Sequence, residues 1–321
     1  MVLRWLCEQP EERVTLLLGN HDACRVVELV GLDDDRFAEA RALAGEIARA
    51  EAEDESPPGA AAARRRGRAA GLRDAFAGRF PDIPTPELAL RDFASYSTEQ
   101  RDLVRELLLA GRFRLAVAAR LARWPDVPVL ATHGALTLRE IALLGFAEDA
   151  SPAALASALN ALLARAVEKV RDAWRSGESA ALDLAPLHVA GVAGREGGGL
   201  LYHRPADPDD ASADAAWRFD SQRPRRFDPR SLPRGLVQVC GHTSHEKCVA
   251  ELARWVVADR RDEQPRVRLL SVRGEDVRYA RWAGERPPDD AASASLFMVD
   301  GAMHRTPPEA VPLLDLLRPT S

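Results

Sequence analysis

The chain has 321 residues, of which 46% are hydrophobic and 29% are charged, with a formal net charge of −5. This length and apolar content suffice for a packed core, and we expect a single domain over residues 1–321. Basic residues are interleaved with acidic ones, which gives no electrostatic reason to expect nucleic acid or an anionic membrane as a partner.

Three features predict a cytoplasmic protein. No apolar run approaches the roughly 20 residues needed to span a bilayer. The segment Met1 to Arg13 is amphipathic and acidic, unlike a signal peptide. The four cysteines are too sparse for a disulfide framework, which fits a reducing compartment.

The first third of the chain alternates helical and strand patterns. Residues 2–9 predict a helix, residues 13–18 form an apolar run typical of a buried strand, and residues 23–31 resume a helical pattern. Residues 39–97 predict a helical insertion, rich at first in Ala, Arg and Glu. Ser-Pro-Pro-Gly at residues 56–59 predicts a flexible break in it.

The middle of the chain predicts helices around one strand, and the rest predicts strands. Residues 98–123 favour an amphipathic helix or helix pair, residues 128–132 a second buried strand, and residues 137–180 a second helical insertion. Residues 205–232 predict a polar surface loop. Short strands are predicted at 187–193, 199–203, 235–240, 266–272, 275–282 and 295–300. This order favours a mixed α/β sandwich over a doubly wound parallel sheet.

Three apolar runs end in the same way, with histidine at or just beyond the predicted strand. The loops read Leu-Gly-Asn-His-Asp (18–22), Ala-Thr-His-Gly (131–134) and Cys-Gly-His-Thr-Ser-His (240–245), and they contain four of the seven histidines. Loops at the carboxyl ends of strands are where α/β folds place ligands. An amide oxygen and two neutral imidazoles suit a divalent ion such as Mn, Fe or Zn.

In sequence and in order, these loops resemble the last three motif blocks of the calcineurin-like metallophosphoesterases, especially the phosphoprotein phosphatase branch. The late run Leu-Phe-Met-Val-Asp-Gly (296–301) also resembles a strand and turn of that family. The resemblance implies a sandwich of two mixed β-sheets flanked by helices. It also implies a hydrolase that cleaves a phosphomonoester, with phosphoserine or phosphothreonine as candidates, by means of two divalent metal ions.

Carried over residue by residue, the resemblance implies a role for each matched position. Asn20, His133 and His242 would bind one metal ion, and His21 would protonate the leaving oxygen as general acid. Arg204 would contact the substrate phosphate. A pair of ions would clamp the phosphoryl group and activate a bridging water.

The sequence departs from the family in its first two blocks, Asp-x-His and Gly-Asp-x-x-Asp-Arg, which it does not contain. Ligands are therefore present for one ion only, and we expect an N-terminally truncated family member. An inactive relative that keeps the fold as a binding scaffold is the alternative. His245 follows the Gly-His-x-His position by one residue and is a candidate further ligand.

Two other interpretations compete for particular residues. A structural zinc site would use cysteine and histidine together, with the ligands Cys240, His242, His245 and Cys248. The remaining histidines are predicted to be structural or solvated: His188, His203 and His304. Neither a Gly-x-Ser-x-Gly elbow nor a Gly-rich phosphate loop occurs, which disfavours a serine hydrolase and a nucleotide-binding enzyme.

Overall fold

The computed structural model describes residues 2–54, 60–90, 96–209, 225–257, 266–300 and 313–317. These residues form a mixed α/β fold around one seven-stranded sheet, accompanied by two-stranded sheets. Its helices are α1 (Val2–Glu8), α2 (Asn20–Val27), α3 (Asp34–Asp54), α4 (Ala60–Arg79), α5 (Pro86–Leu90), α6 (Thr98–Leu109), α7 (Leu138–Leu143), α8 (Pro152–Arg175) and α9 (His245–Leu252). Its strands are β1 (Leu16–Leu17), β2 (Phe113–Arg114), β3 (Ala116–Leu121), β4 (Pro128–Thr132), β5 (His188–Val189), β6 (Gly198–Gly199), β7 (Arg204–Pro205), β8 (Arg226–Phe227), β9 (Val237–Cys240), β10 (Arg268–Arg273), β11 (Asp276–Arg281), β12 (Ser293–Met298) and β13 (Leu316–Leu317).

The large sheet has the strand order β11-β10-β12-β9-β4-β3-β13. Its centre is parallel, because β9 runs parallel to both β12 and β4, whereas the outer pairs are antiparallel. The last residues of the three parallel strands stand side by side, with Cys240 opposite both Thr132 and Met298. The loops after β4 and β9 therefore leave the same edge of the sheet as neighbours.

A small parallel pair brings a third loop to the same region. Leu16 and Leu17 of β1 pair with Phe113 and Arg114 of β2, which leads through one residue into β3 of the large sheet. The Leu18 amide extends the pair by donating to the Arg114 carbonyl at 2.8 Å. The loop that begins at residue 19 is thus held next to the large sheet.

Separate apolar clusters pack around this framework. One face of the large sheet buries Val129, Val237 and Phe297. Helix α8 packs on the other face of the sheet. It buries residues spaced three and four apart, Leu155 and Leu159 among them, in a cluster that includes Leu130. Helices α3, α4 and α5 share a further core, which also includes Cys24 of α2 and Leu29 and Leu32 after that helix. None of the described helices is long and apolar enough to cross a membrane.

Most predicted elements are confirmed, but two are wrong in part. The strand predicted at 199–203 is a turn after Gly199. The expected helix over 98–123 ends at Leu109, after which Gly111 takes a positive φ of 68° and the chain enters β2 and β3. Short apolar segments fit helical and strand spacing equally, and here residues 116–120 pair with β4 as a strand. The break predicted at residues 56–59 and most of the predicted polar loop lie outside the described residues.

Asn160 of α8 ties this helix to the start of β3. Its Oδ1 accepts from the Leu115 and Ala116 amides at 2.9 and 3.2 Å, and its Nδ2 donates to the Ala116 carbonyl at 2.9 Å. We expect Asn160→Ala to lower the free energy of unfolding by about 1–3 kcal/mol, because it leaves these backbone groups without partners. Urea denaturation measures the loss. The exposed Lys169→Ala on the same helix is the control and should change stability by less than about 0.5 kcal/mol.

Candidate metal centre

Three side chains from distant parts of the chain meet at the carboxyl edge of the sheet. His133 Nε2 lies 2.9 Å from Asn20 Oδ1 and 3.0 Å from His242 Nδ1. The two imidazole rings are 4.8 Å apart between centroids. Asn20 is buried, and both histidines are partly buried. The structure therefore brings together the three residues that the sequence singled out as ligands of one ion.

The three side chains do not satisfy all of their hydrogen-bonding atoms by contacts with one another. Arg204 Nε donates to His242 Nε2 at 3.4 Å, so the single proton of a neutral His242 belongs on Nδ1, where it points at His133 Nε2. His133 Nε2 is then an acceptor facing Asn20 Oδ1, another acceptor, with the amide oriented as it is here. In this orientation the Asn20 Oδ1–His133 Nε2 pair is left without a proton, and a cation beside these two atoms would relieve the repulsion.

The spacing also fits a metal ion. With bonds of about 2.1 Å, two ligands at right angles stand about 3.0 Å apart, close to the observed 2.9 and 3.0 Å. Within the described part of the chain, no group of three or more His, Cys, Asp or Glu residues could hold a metal ion. The Asn20 amide is therefore needed to complete the donor set, which suits Mn, Fe or Zn.

Helix α2 places Asn20 at its first position, and the residue before it makes room for the partner. Gly19, the N-cap, has an extended backbone with φ −97° and ψ 169°. A Cβ on Gly19 would lie 3.0 Å from His133 Cε1 and 3.1 Å from its Nδ1. Glycine at this position thus lets the imidazole approach the start of the helix.

The loop after His133 is fixed by buried hydrogen bonds. Gln238 of β9 accepts from the Leu136 amide and donates to the Leu136 carbonyl, both at 2.9 Å. Thr137 and Glu140 form a capping box at the start of α7. His203 Nδ1 lies 3.0 Å from the Ala135 carbonyl oxygen. The loop that carries His133 is thus supported by the neighbouring strand β9, by the start of α7 and by residues 199–204. We call residues 199–204 the bridging segment.

Burial keeps both imidazoles neutral. Burial, with a smaller contribution from the nearby His21, lowers the pKa of His133 to about 4. Burial also lowers the pKa of His242 well below 6.5, aided by His133, Arg204 and Arg225. Neutral imidazole is the form that binds metal, so both groups are ready as ligands near neutral pH.

The bridging segment contributes an aromatic ring and a cation next to His242. The Tyr202 ring meets the His242 ring edge-on at 6.3 Å. Arg225 lies 4.8 Å above the Tyr202 ring and pairs with Glu196. Together with Arg204, this gives His242 a positively charged surrounding, which favours an anionic ligand at the site.

The other predicted site residues lie at different distances from this centre. His21 is exposed in the first turn of α2, close enough to His133 to lower its pKa. His245 is at the start of α9, where Nδ1 is 3.0 Å from the Tyr279 hydroxyl and the rings stack at 5.7 Å. His304 lies outside the described residues.

The four residues of the alternative zinc site do not form a group. His242 contacts His133, and His245 contacts Tyr279. Both thiols are buried, and Cys248 Sγ lies 3.7 Å from Met298 Sδ. Burial raises the pKa of the Cys240 thiol to about 12, which disfavours the thiolate that zinc binding needs.

Sequence reasoning missed the buried polar residues behind the site. Glu28, the residue after α2, lies beside His188 and next to Tyr202 of the bridging segment. Burial raises the pKa of Glu28 from an ordinary 4.5 to about 7, although the Gly191 amide, Arg225 and Tyr202 oppose the rise. Burial lowers the pKa of His188 to about 4. A single glutamate in a helical pattern is usually exposed, so the sequence provides no reason to expect Glu28 to be buried.

Comparisons with known proteins leave the chain without an assigned family. No protein-family model matches it, and neither the curated proteins nor the solved structures contain a match. The fold and site described above therefore stand on the sequence and the structure alone.

Gly19→Ala tests the close approach of His133. We expect it to lower the free energy of unfolding by about 1–3 kcal/mol, because the added methyl group overlaps the ring. Gly45→Ala is the matched control, since a Cβ there meets nothing within 4 Å. In the interior of α3 it should raise stability by about 0.5–1 kcal/mol. Thermal and urea unfolding measure both, and equal effects of the two variants would contradict the packing described.

Glu28 predicts a pH dependence of stability. Its folded pKa is raised, so the folded state holds its proton longer than the unfolded state, and stability falls as pH rises from 4.5 towards 7. Relative to Glu28→Gln, the wild-type protein should lose about 2 kcal/mol of unfolding free energy between about pH 5 and pH 8. Urea titrations at several pH values measure the difference. Parallel curves for the two proteins would exclude the raised pKa.

Proposed function

We propose that the chain is a metal-dependent phosphoesterase of the calcineurin-like type, acting on a phosphomonoester in the cytoplasm. Phosphoserine or phosphothreonine is the candidate group. The observation that carries the proposal is that Asn20 Oδ1 and His242 Nδ1 each lie within about one ligand spacing of His133 Nε2. They come from the three loops that resemble the family's blocks, in the same order.

Each residue has a part in the proposed reaction. Asn20, His133 and His242 bind the ion, which when present supplies Lewis acidity and an activated water. Arg204, 3.4 Å from His242, neutralises and orients the substrate phosphate. His21 is exposed beside His133, where it can give a proton to the departing oxygen. The neutral state of the two imidazole ligands keeps them bound to the ion near pH 7.

The finer architecture is part of the same proposal. In a two-sheet sandwich, β1 and β2 belong to a second sheet that faces the large one. Two contacts support this: Leu17 packs against the cluster formed by Val237, Val239 and Phe297, and α8 packs in the cluster on the side of Leu130. The sequence contains neither Asp-x-His nor Gly-Asp-x-x-Asp-Arg, so the proposal assigns ligands to one ion of the pair.

A binding scaffold is the second candidate function. It is favoured because the chain supplies ligands for one ion, whereas the proposed reaction uses two. It shares the fold and the ion but lacks hydrolysis. The two candidates are separated by measuring metal binding and turnover on the same protein, since a scaffold binds the ion and leaves a phosphate ester intact.

His242→Ala and His245→Ala form a matched pair of tests. After chelation and reloading with Mn²⁺, we expect the wild-type protein to hydrolyse an aryl phosphate. We expect His242→Ala to lose at least about 100-fold of that activity, because it removes a ligand. We expect His245→Ala, which alters the contact with Tyr279, to keep both activity and metal affinity. Calorimetric titration with Mn²⁺ provides the affinity.

The outcomes separate the candidates. Mn²⁺ binding that depends on His242, without turnover, supports the scaffold and contradicts the enzyme. The absence of Mn²⁺ binding by the wild-type protein contradicts both. Equal loss in the His242 and His245 variants would show that the ion does not bind at the centre described.

A further inference from the structure

A buried carboxylate lies behind the metal centre, at the opposite end of the helix that begins with Asn20. The Glu28 side chain is 1% exposed, and its Oε1 accepts from the Gly191 amide at 3.3 Å. His188 Nε2 is 3.9 Å from the same oxygen. The Tyr202 hydroxyl also serves this carboxyl as a hydrogen-bond partner. Glu28 therefore joins α2 to the segment that carries Tyr202 and Arg204.

The chain around Glu28 is shaped to admit the carboxylate. A Cβ on Gly197 would lie 3.1 Å from Glu28 Oε1, and a Cβ on Gly191 would lie 2.4 Å from Pro84 Cγ. Gly199, paired with His188, has a φ of 98°, and a Cβ there would lie 2.2 Å from the Leu187 carbonyl oxygen. This run of glycines lets the backbone of residues 188–199 close over Glu28.

Tyr202 transmits this contact to the metal centre. Its ring stacks on His188 at 5.5 Å, lies under Arg225 and meets His242 edge-on at 6.3 Å. Two residues further along, Arg204 reaches His242. A shift of the bridging segment would therefore move both the Tyr202 ring and the Arg204 guanidinium relative to His242.

Burial of the Glu28 side chain has an unfavourable free energy that the contacts described do not fully offset. Burying a carboxylate costs free energy unless its oxygens are bonded, and Glu28 Oε2 and His188 Nδ1 have no hydrogen-bond partner in the part of the chain that the structure describes.

We propose that Glu28 is a positioning residue of the metal centre, acting through Tyr202 on His242 and Arg204. Because Glu28 and Asn20 stand on the same helix, it also fixes the separation between the Asn20 amide and His242. The inference rests on the proposed metal site, since it concerns the geometry of its ligands.

Cobalt(II) is the probe, because its visible absorption reports the number and geometry of its ligands as well as its affinity. We expect Glu28→Ala to bind Co²⁺ about 10–100-fold more weakly than the wild-type protein, the range for lost outer contacts of a metal ligand. Its absorption band should also change in shape. Glu28→Gln keeps an oxygen for the Gly191 amide and should stay within about 3-fold, with the wild-type spectrum.

Two further variants separate positioning from loss of stability. Tyr202→Phe removes the hydroxyl that meets Glu28, and adding it to Glu28→Ala should produce no further loss of affinity if both act in one chain of contacts. Ile47→Ala opens a cavity in the core of α3–α5, which Ile47 shares with Cys24 of α2. It should destabilise the protein and leave the Co²⁺ affinity and spectrum unchanged.

Each result decides between the claims. Wild-type affinity and spectrum in Glu28→Ala overturn the positioning role while leaving the metal site intact. A wild-type protein that binds no Co²⁺ overturns the proposed site and this inference with it. If Glu28→Ala fails to fold, Tyr202→Phe decides alone, and unchanged Co²⁺ binding by that variant overturns the inference.

Discussion

The register of the central strands is the constraint on which the rest of the structure depends. Thr132 and Cys240 stand opposite each other at the ends of two parallel strands, so the residues that follow them leave the sheet as neighbours. His133 and His242 meet for that reason, across 109 residues of sequence. A shift of one residue would turn each side chain to the other face and separate the two imidazoles.

The second requirement is enough burial to keep both imidazoles neutral. Burial holds both histidines in their neutral form, and the Asn20 amide adds an oxygen atom to the two imidazoles. In water such groups would be satisfied by solvent. Here the surrounding contacts of Gln238 and the bridging segment hold them close together without it, which is how a protein prepares a binding site in advance of its ligand.

The sequence predicted which residues meet at the candidate centre better than it predicted the residues that hold them there. Gly-Asn-His-Asp follows an apolar run, and such a motif has a local meaning: glycine for close approach, asparagine at the first helical position. The strand β3 was mistaken for helix because its apolar spacing fits both. Gln238 and Glu28 were missed because their roles depend on partners more than 100 residues away, Leu136 and Gly191. No spacing rule within one element encodes such a contact.

The distances along the chain also bear on how the protein folds. Asn20 and His133 are 113 residues apart in sequence, with helices α3–α5 between them. Closing so long a loop costs entropy, which the contacts made on assembly must repay. A partly folded chain would contain the helical insertion but not the assembled centre. Occupancy of the centre by an ion would then distinguish the finished molecule from its precursors during folding.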